Sequence, residues 1–296
     1  KLACLPISPS RLIFYIVYNK NMKIGERDFD FYKSYIMGIL NITPDSFSDG
    51  GQFIDLDRIL VYIEKMIEDG ADIIDVGAAS SRPGADEVSG KEEINRLKGL
   101  LKVYKKYFSV PISLDTTKSE VAAFGLANGV DMINDISGLA GDKKMADIIG
   151  KAKVPVVIMH MQGIPQNMQN SPSYQNVITD ISEDFKVAIK KAEQAGIADV
   201  IIDPGVGFGK TLEHNLEIIA NLAKFKSLGK PILVGTSRKS FIGALTGADI
   251  NERLAGTISS NILALVNGAS IFRVHDVAET KQALVVASAI INSIKQ

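Results

Sequence analysis

Tyr35-Ile-Met-Gly-Ile-Leu-Asn-Ile42 is an almost unbroken apolar run, and Ala71-Asp-Ile-Ile-Asp-Val-Gly77 is the next. Between them Ile59, Leu60, Ile63, Met66 and Ile67 recur at the spacing of one helix face, and Gly70 supplies a left-handed stop. Runs this apolar are what strands become when both faces are covered, so strand, helix and strand read as a βαβ unit of a parallel sheet. The alternation continues along the chain. Further runs fall at residues 111–116, 131–137, 154–161, 200–205, 231–237 and 270–276. Helical segments are expected at about 91–107, 118–128, 174–195, 251–267 and 277–294, and Thr211 is expected to cap a helix that buries Leu212, Leu216, Ile219 and Leu222.

Eight strand runs, each followed by a helix, match a single closed (β/α)8 TIM barrel of about 250 residues, with no room for a second globular domain. The fold class is therefore α/β, with an open doubly wound sheet as the alternative. Residues 35–296 form the barrel in this reading. Residues 1–34 are an N-terminal extension, in which the polar stretch 22–34, carrying Phe29, Phe31 and Tyr32, is expected to form a short hairpin closing the barrel bottom.

Composition narrows the function. The 296 residues hold 33 Lys+Arg against 34 Asp+Glu, a net charge of −1, so no global basic field favours a nucleic-acid partner. The N-terminal apolar run, residues 12–18, is far short of the roughly 20 needed to span a bilayer, and Pro6, Pro9 and Arg11 interrupt a signal-peptide pattern. No membrane partner is expected. A single cysteine, Cys4, excludes an internal disulfide, and three histidines offer little for a structural zinc site. Cytoplasmic placement is expected.

Almost every strand run closes in a polar residue, and in a parallel barrel these ends converge on the face where active sites are built. The set comprises Asn41, Asp75, Asp115, Asn134, Asp135, His160, Asp203, Ser237, Lys239, Arg273 and His275. Any one Asp or Asn there is as readily a turn former or helix cap. The first loop, residues 41–51, is long, polar and carries Phe47, so it reads as a lid. Ala79-Ser-Ser-Arg-Pro-Gly84 reads as an anion clamp, and Asp203-Pro-Gly-Val-Gly-Phe-Gly-Lys210 as a loop whose three glycines let backbone approach a flat ligand. Gly235-Thr-Ser-Arg-Lys-Ser240 places two cations and three hydroxyls at a helix start, and alternation sends Arg273 and His275 to one side. Both features favour an anion.

Gly38-Ile-Leu-Asn-Ile-Thr-Pro-Asp-Ser-Phe-Ser-Asp-Gly-Gly51, Asp75-Val-Gly77, Ser81-Arg-Pro-Gly84, Leu114-Asp-Thr-Thr117, Ile133-Asn-Asp-Ile136, Met159-His-Met-Gln-Gly163, Asp203-Pro-Gly-Val-Gly-Phe-Gly209, Gly235-Thr-Ser-Arg-Lys-Ser240 and Arg273-Val-His-Asp276 follow one another in a fixed order. This series resembles the dihydropteroate synthase family over residues 36 to about 294. The resemblance implies a pterin-binding transferase of folate biosynthesis, a sulfonamide target. Its reaction joins p-aminobenzoate to 6-hydroxymethyl-7,8-dihydropterin pyrophosphate and releases pyrophosphate, with Mg2+ as cofactor, and barrels of the family commonly pair as homodimers. Catalytic roles are implied for Asp115, Lys239, Arg273 and His275. Substrate contacts are implied for Asp203, Asn134 and Met159 at the pterin, for Gly207, Phe208 and Lys239 beside the second substrate, and for Ser81, Arg82, Pro83, Ser237, Ser240 and Phe47 around the diphosphate and loops. Asn41 is implied as a metal ligand. The implied mechanism is an SN1-like substitution in which the electron-rich dihydropterin carries a methylene cation.

Ala79 and Ser81 stand where the family usually has Glu and Thr, and the family's usual start falls near Met22, leaving residues 1–21 without an assigned role. Three rival readings remain at this stage. A methyltetrahydrofolate-dependent methyltransferase would share Asp115, Asn134 and Asp203 but would not need the diphosphate-binding residues. An aldolase would use Lys239 as a Schiff-base lysine. A barrel without activity would bind pterin and turn nothing over.

Overall fold

The computed structural model describes residues 21–43, 55–80, 84–85 and 88–293. An antiparallel pair, β1 (Met22–Ile24) and β2 (Arg27–Phe29), precedes the repeat. Then follow β3 (Tyr35–Asn41), α1 (Leu56–Glu68), β4 (Ile73–Gly77), α2 (Gly90–Tyr107), β5 (Ile112–Asp115), α3 (Ser119–Ala127), β6 (Met132–Asp135) and α4 (Met145–Ala152). The second half runs β7 (Val156–Met159), α5 (Val177–Gln194), β8 (Val200–Asp203), α6 (Leu212–Ala220), β9 (Leu233–Val234), α7 (Ser240–Thr246), α8 (Leu254–Val266), β10 (Ile271–Val274) and α9 (Val277–Ser293). Strands β3 to β8 pair in sequence order, β10 joins β3 to β9, and a parallel bridge from Ile202 to Ile232 brings the two edges together. The result is an eight-stranded parallel barrel wrapped in helices.

Strand alternation divides the apolar residues into two cores. Met37, Ile73, Met132, Val157, Ile201, Leu233 and Ile271 point inward and meet Met22, Ile24, Phe29 and Phe31 of the hairpin segment, which fill the lower end. Their neighbours one residue along, such as Ile36, Ile74, Ile133, Val156, Val200, Val234 and Phe272, point outward into the helix layer. Both sets are buried, which is why the strands read as continuous apolar runs. Fully burying one such side chain contributes roughly 1.5–3 kcal/mol, so a polar residue on the inward side is disfavoured unless partners hold it. Moving two residues further along each of these strands leads from the inner core to Asp75, Asn134, Met159, Asp203 and Arg273.

The structure departs from the sequence expectation in detail. Helix α4 was not singled out by periodicity, because its eight residues give barely two turns of pattern. Thr211 does cap α6, in a reciprocal capping box with His214, but Leu216 is exposed and the buried face is Asn215, Ile218 and Ile219. The helix is rotated so that Asn215 reaches the loop before it. Strand β9 is reduced to two residues, and Arg238 just beyond it adopts φ 56°. Among the described residues no helix is long and apolar enough to cross a membrane.

Candidate active site

Inside the C-terminal end of the barrel, four side chains from four strands form one hydrogen-bonded floor. Arg273 donates from Nε to Asp75 Oδ2 at 2.6 Å and from Nη2 to Asp115 Oδ2 at 2.8 Å. Asn134 Nδ2 donates to the same Asp75 oxygen at 3.0 Å. Asp75 is fully buried, and its Oδ1 finds no hydrogen-bond partner among the described residues; nor does Ser113 Oγ, opposite it in register. Burial works against the charge of Arg273, but the carboxylates of Asp75 and Asp115 outweigh it and hold the guanidinium above its usual range. Asp115 is pushed up to about 7 by burial, against the opposing pull of Arg273 and with help from Asp75.

The wall beside this floor is the loop after β8. Asp203 is buried, accepts the Gly205 N–H at 2.8 Å, and is pushed up to about 6 by burial, with that hydrogen bond and the charges of Lys239 and Arg273 opposing the rise. Lys239 Nζ lies 3.9 Å from the centre of the Phe208 ring, a cation held over an aromatic face. Its surroundings bring it down to about 8, through burial first and then Arg273. Phe208 and Met159 belong to one apolar patch with Ile136 and Met168. At the far side Ser237 Oγ accepts the His275 backbone N–H at 3.2 Å and lies 3.0 Å from His275 Nδ1. With the Ser237 hydroxyl donating to Nδ1, the imidazole presents Nε2–H as a donor. Burial, followed by Arg273 and Arg238, lowers His275 to about 4, so it is a neutral donor near pH 7 and not a second cation.

Asn41 closes β3 facing inward. A side chain at Gly77 would begin 3.6 Å from Asn41 Oδ1 and 3.7 Å from Asp115 Oδ2, so the glycine leaves space between two hard oxygens. Among the described residues no cluster of three or more His, Cys, Asp or Glu has a metal-binding arrangement. This donor set fits a Mg2+ that draws most of its ligands from water and a bound diphosphate, and does not fit an all-protein cage.

The structure thus gathers Asn41, Asp115, Asn134, Met159, Asp203, Gly207, Phe208, Ser237, Lys239, Arg273 and His275 around one end of the barrel, with Ser240 exposed at the start of α7. Phe47, Ser81, Arg82 and Pro83, and with them most of the lid and the centre of the anion-clamp loop, lie outside the described residues. Two members of the polar set do not belong. Asp135 points outward and is a turn former, accepting from Ser137 N, Ser137 Oγ and Leu139 N. His160 also points outward, where it meets Asp184 and Lys210. The glycine reading is corrected as well. Cβ atoms at Gly205 and Gly209 would fall 1.9 Å from the His160 carbonyl and 2.3 Å from the Gln162 carbonyl, so both glycines seat the loop on the β7 loop; only Gly207 borders Lys239. Asp75, which the sequence places in the polar set without a role, is the residue whose part in the site the sequence reading did not find. Its position on the inward side of β4, two residues past Ile73, was the available signal.

The chain matches the model of the pterin binding enzyme family over residues 37–275. It is 47% identical over 266 residues to a Clostridium beijerinckii protein named dihydropteroate synthase, covering 88% of this chain and 96% of that one. The fold superimposes with a TM-score of 0.87 on a Yersinia pestis dihydropteroate synthase in a sulfonamide drug complex, at 40% identity, covering 92% of this chain and 100% of the other. A Xanthomonas albilineans dihydropteroate synthase with 4-aminobenzoic acid gives a TM-score of 0.85 at 38% identity, covering 91% and 97%.

Proposed function

The chain belongs to the dihydropteroate synthases of the pterin binding enzyme family, and from that premise we propose how its own residues divide the reaction. The enzyme is a transferase of folate biosynthesis that condenses 6-hydroxymethyl-7,8-dihydropterin pyrophosphate with p-aminobenzoate to give 7,8-dihydropteroate and pyrophosphate. Asp203, ionised above about pH 6, accepts the paired ring N–H and 2-amino donors of the pterin. Asn134 offers both a donor and an acceptor to the same edge, and Asp115 completes it. Met159 packs its sulfur against the ring. Asp75 touches neither substrate in this reading; one of its oxygens fixes both Asn134 and Arg273.

Arg273, His275, Ser237 and Ser240 take the diphosphate, together with Ser81, Arg82 and Pro83 of the loop after β4. Two bonds to Asp75 and Asp115 hold the Arg273 plane, leaving Nη1 as the nitrogen not engaged in them. Asn41 would hold a Mg2+ in part, and the ion would supply charge neutralisation of the diphosphate. As the carbon–oxygen bond loosens, positive charge develops on the pterin methylene, and the ionised Asp203 at the pterin edge favours it. This favours a dissociative, SN1-like path. The arylamine nucleophile is neutral at pH 7, so no strong general base is needed. Gly207, Phe208 and the Lys239 ammonium over that ring form the face that receives it, and Phe47 belongs to the loop over the reacting centre.

We place the reaction in the cytoplasm, in keeping with a sequence that holds one cysteine. We assign a homodimer to the outer face of α8 and α9, where Leu263, Val266, Val285, Val286 and Ile290 are exposed. Sedimentation of wild type and Ile290→Glu tests it: a wild-type dimer and a variant monomer are expected, and a wild-type monomer sinks the assignment.

The observation that carries the functional reading is the convergence of Asp203, Asn134, Asp115 and Arg273, with the Lys239–Phe208 pair beside them, at one barrel end. The deciding assay measures pyrophosphate release from the dihydropterin pyrophosphate, with and without p-aminobenzoate and magnesium. Release that requires magnesium and is strongly accelerated by p-aminobenzoate is expected. Tight pterin binding with no release under any condition would refute the catalytic assignment.

A further inference from the structure

Lys210 ends the loop that carries Gly207 and Phe208, yet its side chain turns away from the cleft and is almost completely buried, at 3% exposure. Among the described residues no carboxylate pairs with it. Its Nζ instead lies 2.9 Å from the Phe208 carbonyl, 3.2 Å from the His160 carbonyl and 3.1 Å from His160 Nδ1, three acceptors for the three protons of an ammonium. That arrangement places the remaining His160 proton on Nε2, 3.1 Å from Asp184 Oδ2. Burial brings this amine down to about 7, with the charge of Asp203 opposing the fall, and in either protonation state its N–H donors tie two backbone segments together.

Both segments border the site. The His160 carbonyl follows Met159, and the Phe208 carbonyl belongs to the residue whose ring lies under Lys239. The rest of the loop is also held. Asn215 Oδ1 accepts from Gly207 N at 2.6 Å, Gln169 Nε2 donates to the Gly207 carbonyl at 2.7 Å, and Tyr174 Oη donates to the Gly209 carbonyl at 2.8 Å. Of the three consecutive carbonyls at residues 207–209, the middle one, that of Phe208, is held by Lys210.

We propose that Lys210 is a positioning residue for the arylamine substrate: by joining the Phe208 and His160 carbonyls it fixes the loop that offers Gly207 and Phe208 to p-aminobenzoate, without touching either substrate. This rests on the reading of Gly207 and Phe208 as the p-aminobenzoate side of the site. Of the pterin anchors, Asp115 and Asn134 stand on β5 and β6, and Asp203 and Met159, although next to the two tied segments, are held in register with each other by the β7–β8 ladder, so loosening the loop beyond them acts on the second substrate more than on the first. A purely structural lysine has no such preference.

The test is a double-mutant cycle in steady-state kinetics on the full chain: wild type, Lys210→Met, Phe208→Ala and the double variant, with Tm recorded for each. Lys210→Met is expected to raise the KM for p-aminobenzoate about tenfold, as for loss of one charge-assisted hydrogen bond, while the KM for the pterin pyrophosphate stays within about twofold. In the Phe208→Ala background the same substitution is expected to add less than about twofold, because the ring it positions is gone. A lowered Tm with both KM values unchanged, equal rises in both, or fully multiplicative effects in the double variant overturns the proposal alone. Phe208→Ala with an unchanged p-aminobenzoate KM overturns it together with the reading of the loop beneath it. Where Lys210→Met does not fold, Lys210→Gln, which keeps N–H donors without the charge, is read by the same two KM values.

Discussion

Replacing Arg273 by Met removes the cation from between two buried carboxylates while keeping most of the side chain's apolar bulk. Its partners lie 2.6 and 2.8 Å away, on strands β4 and β5, and the Asp75 side chain has no exposed surface. Breaking a buried pair by deleting one partner costs about 3–5 kcal/mol, because the charge left behind keeps its desolvation penalty. Part of that cost is escaped by taking up a proton, and this gives the effect a pH signature. Asp115 already stands at about 7 through burial, with Arg273 the main influence opposing the rise. Without Arg273 it climbs further. A carboxylate raised in the folded state stabilises the fold at acid pH and loses that contribution as pH rises through the folded value. The wild type has completed this loss just above pH 7; the variant continues to lose stability beyond it, by about 1.4 kcal/mol for each further unit of the rise. Urea denaturation of both proteins at pH 6 and pH 8.5 measures the gap. It is expected to fall in the range of ~3–5 kcal/mol at pH 8.5 and to be clearly smaller at pH 6. A gap under about 1 kcal/mol, or one that is the same at both pH values, refutes the claim that Arg273 neutralises the floor.

The same Arg273→Met variant is expected to weaken binding of the pterin pyrophosphate far more than binding of a pterin without the diphosphate; equal losses by calorimetry would confine Arg273 to supporting the fold. Asp203→Asn is expected to weaken pterin binding about 30- to 150-fold, since an amide cannot accept both N–H donors, and an unchanged Kd rejects it as the anchor. Pterin affinity in the wild type is expected to fall about tenfold between pH 7 and pH 5, because the competent Asp203 is the carboxylate and its value is about 6. Calorimetric titration across that range giving a flat profile contradicts the assignment. Gly205→Ala places a methyl group 1.9 Å from the His160 carbonyl at φ 68°, so a loss of at least about 2 kcal/mol is expected in chemical denaturation, and a variant as stable as wild type would show that the loop does not rest on β7.

The fold was legible in the sequence because the apolar covering of both strand faces and the 3.6-residue period of the helices act locally, so each run and each helix shows itself without reference to its distant partners. The polar ends of those runs gathered Asp75, Asp115, Asn134, Asp203, Arg273 and His275 on one rim, but with Asp135 and His160 among them, because alternation was applied to Arg273 and His275 alone. What alternation does not carry is which inward residues touch. Arg273 meets Asp75 and Asp115 across 198 and 158 residues of chain, and closure of the sheet between β3 and β10, with the stagger of its strands, determines that pairing. The pairing in turn determines the charge of the floor. His160 and Lys210 show the same limit from the other side. A histidine after a strand and a lysine after a glycine loop look alike in sequence whether they face substrate or packing. His160 faces out because it follows inward-facing Met159 by one residue, and the seating of the β8 loop on the β7 loop, through Gly205 and Gly209, brings Lys210 to it and makes a clamp of the pair.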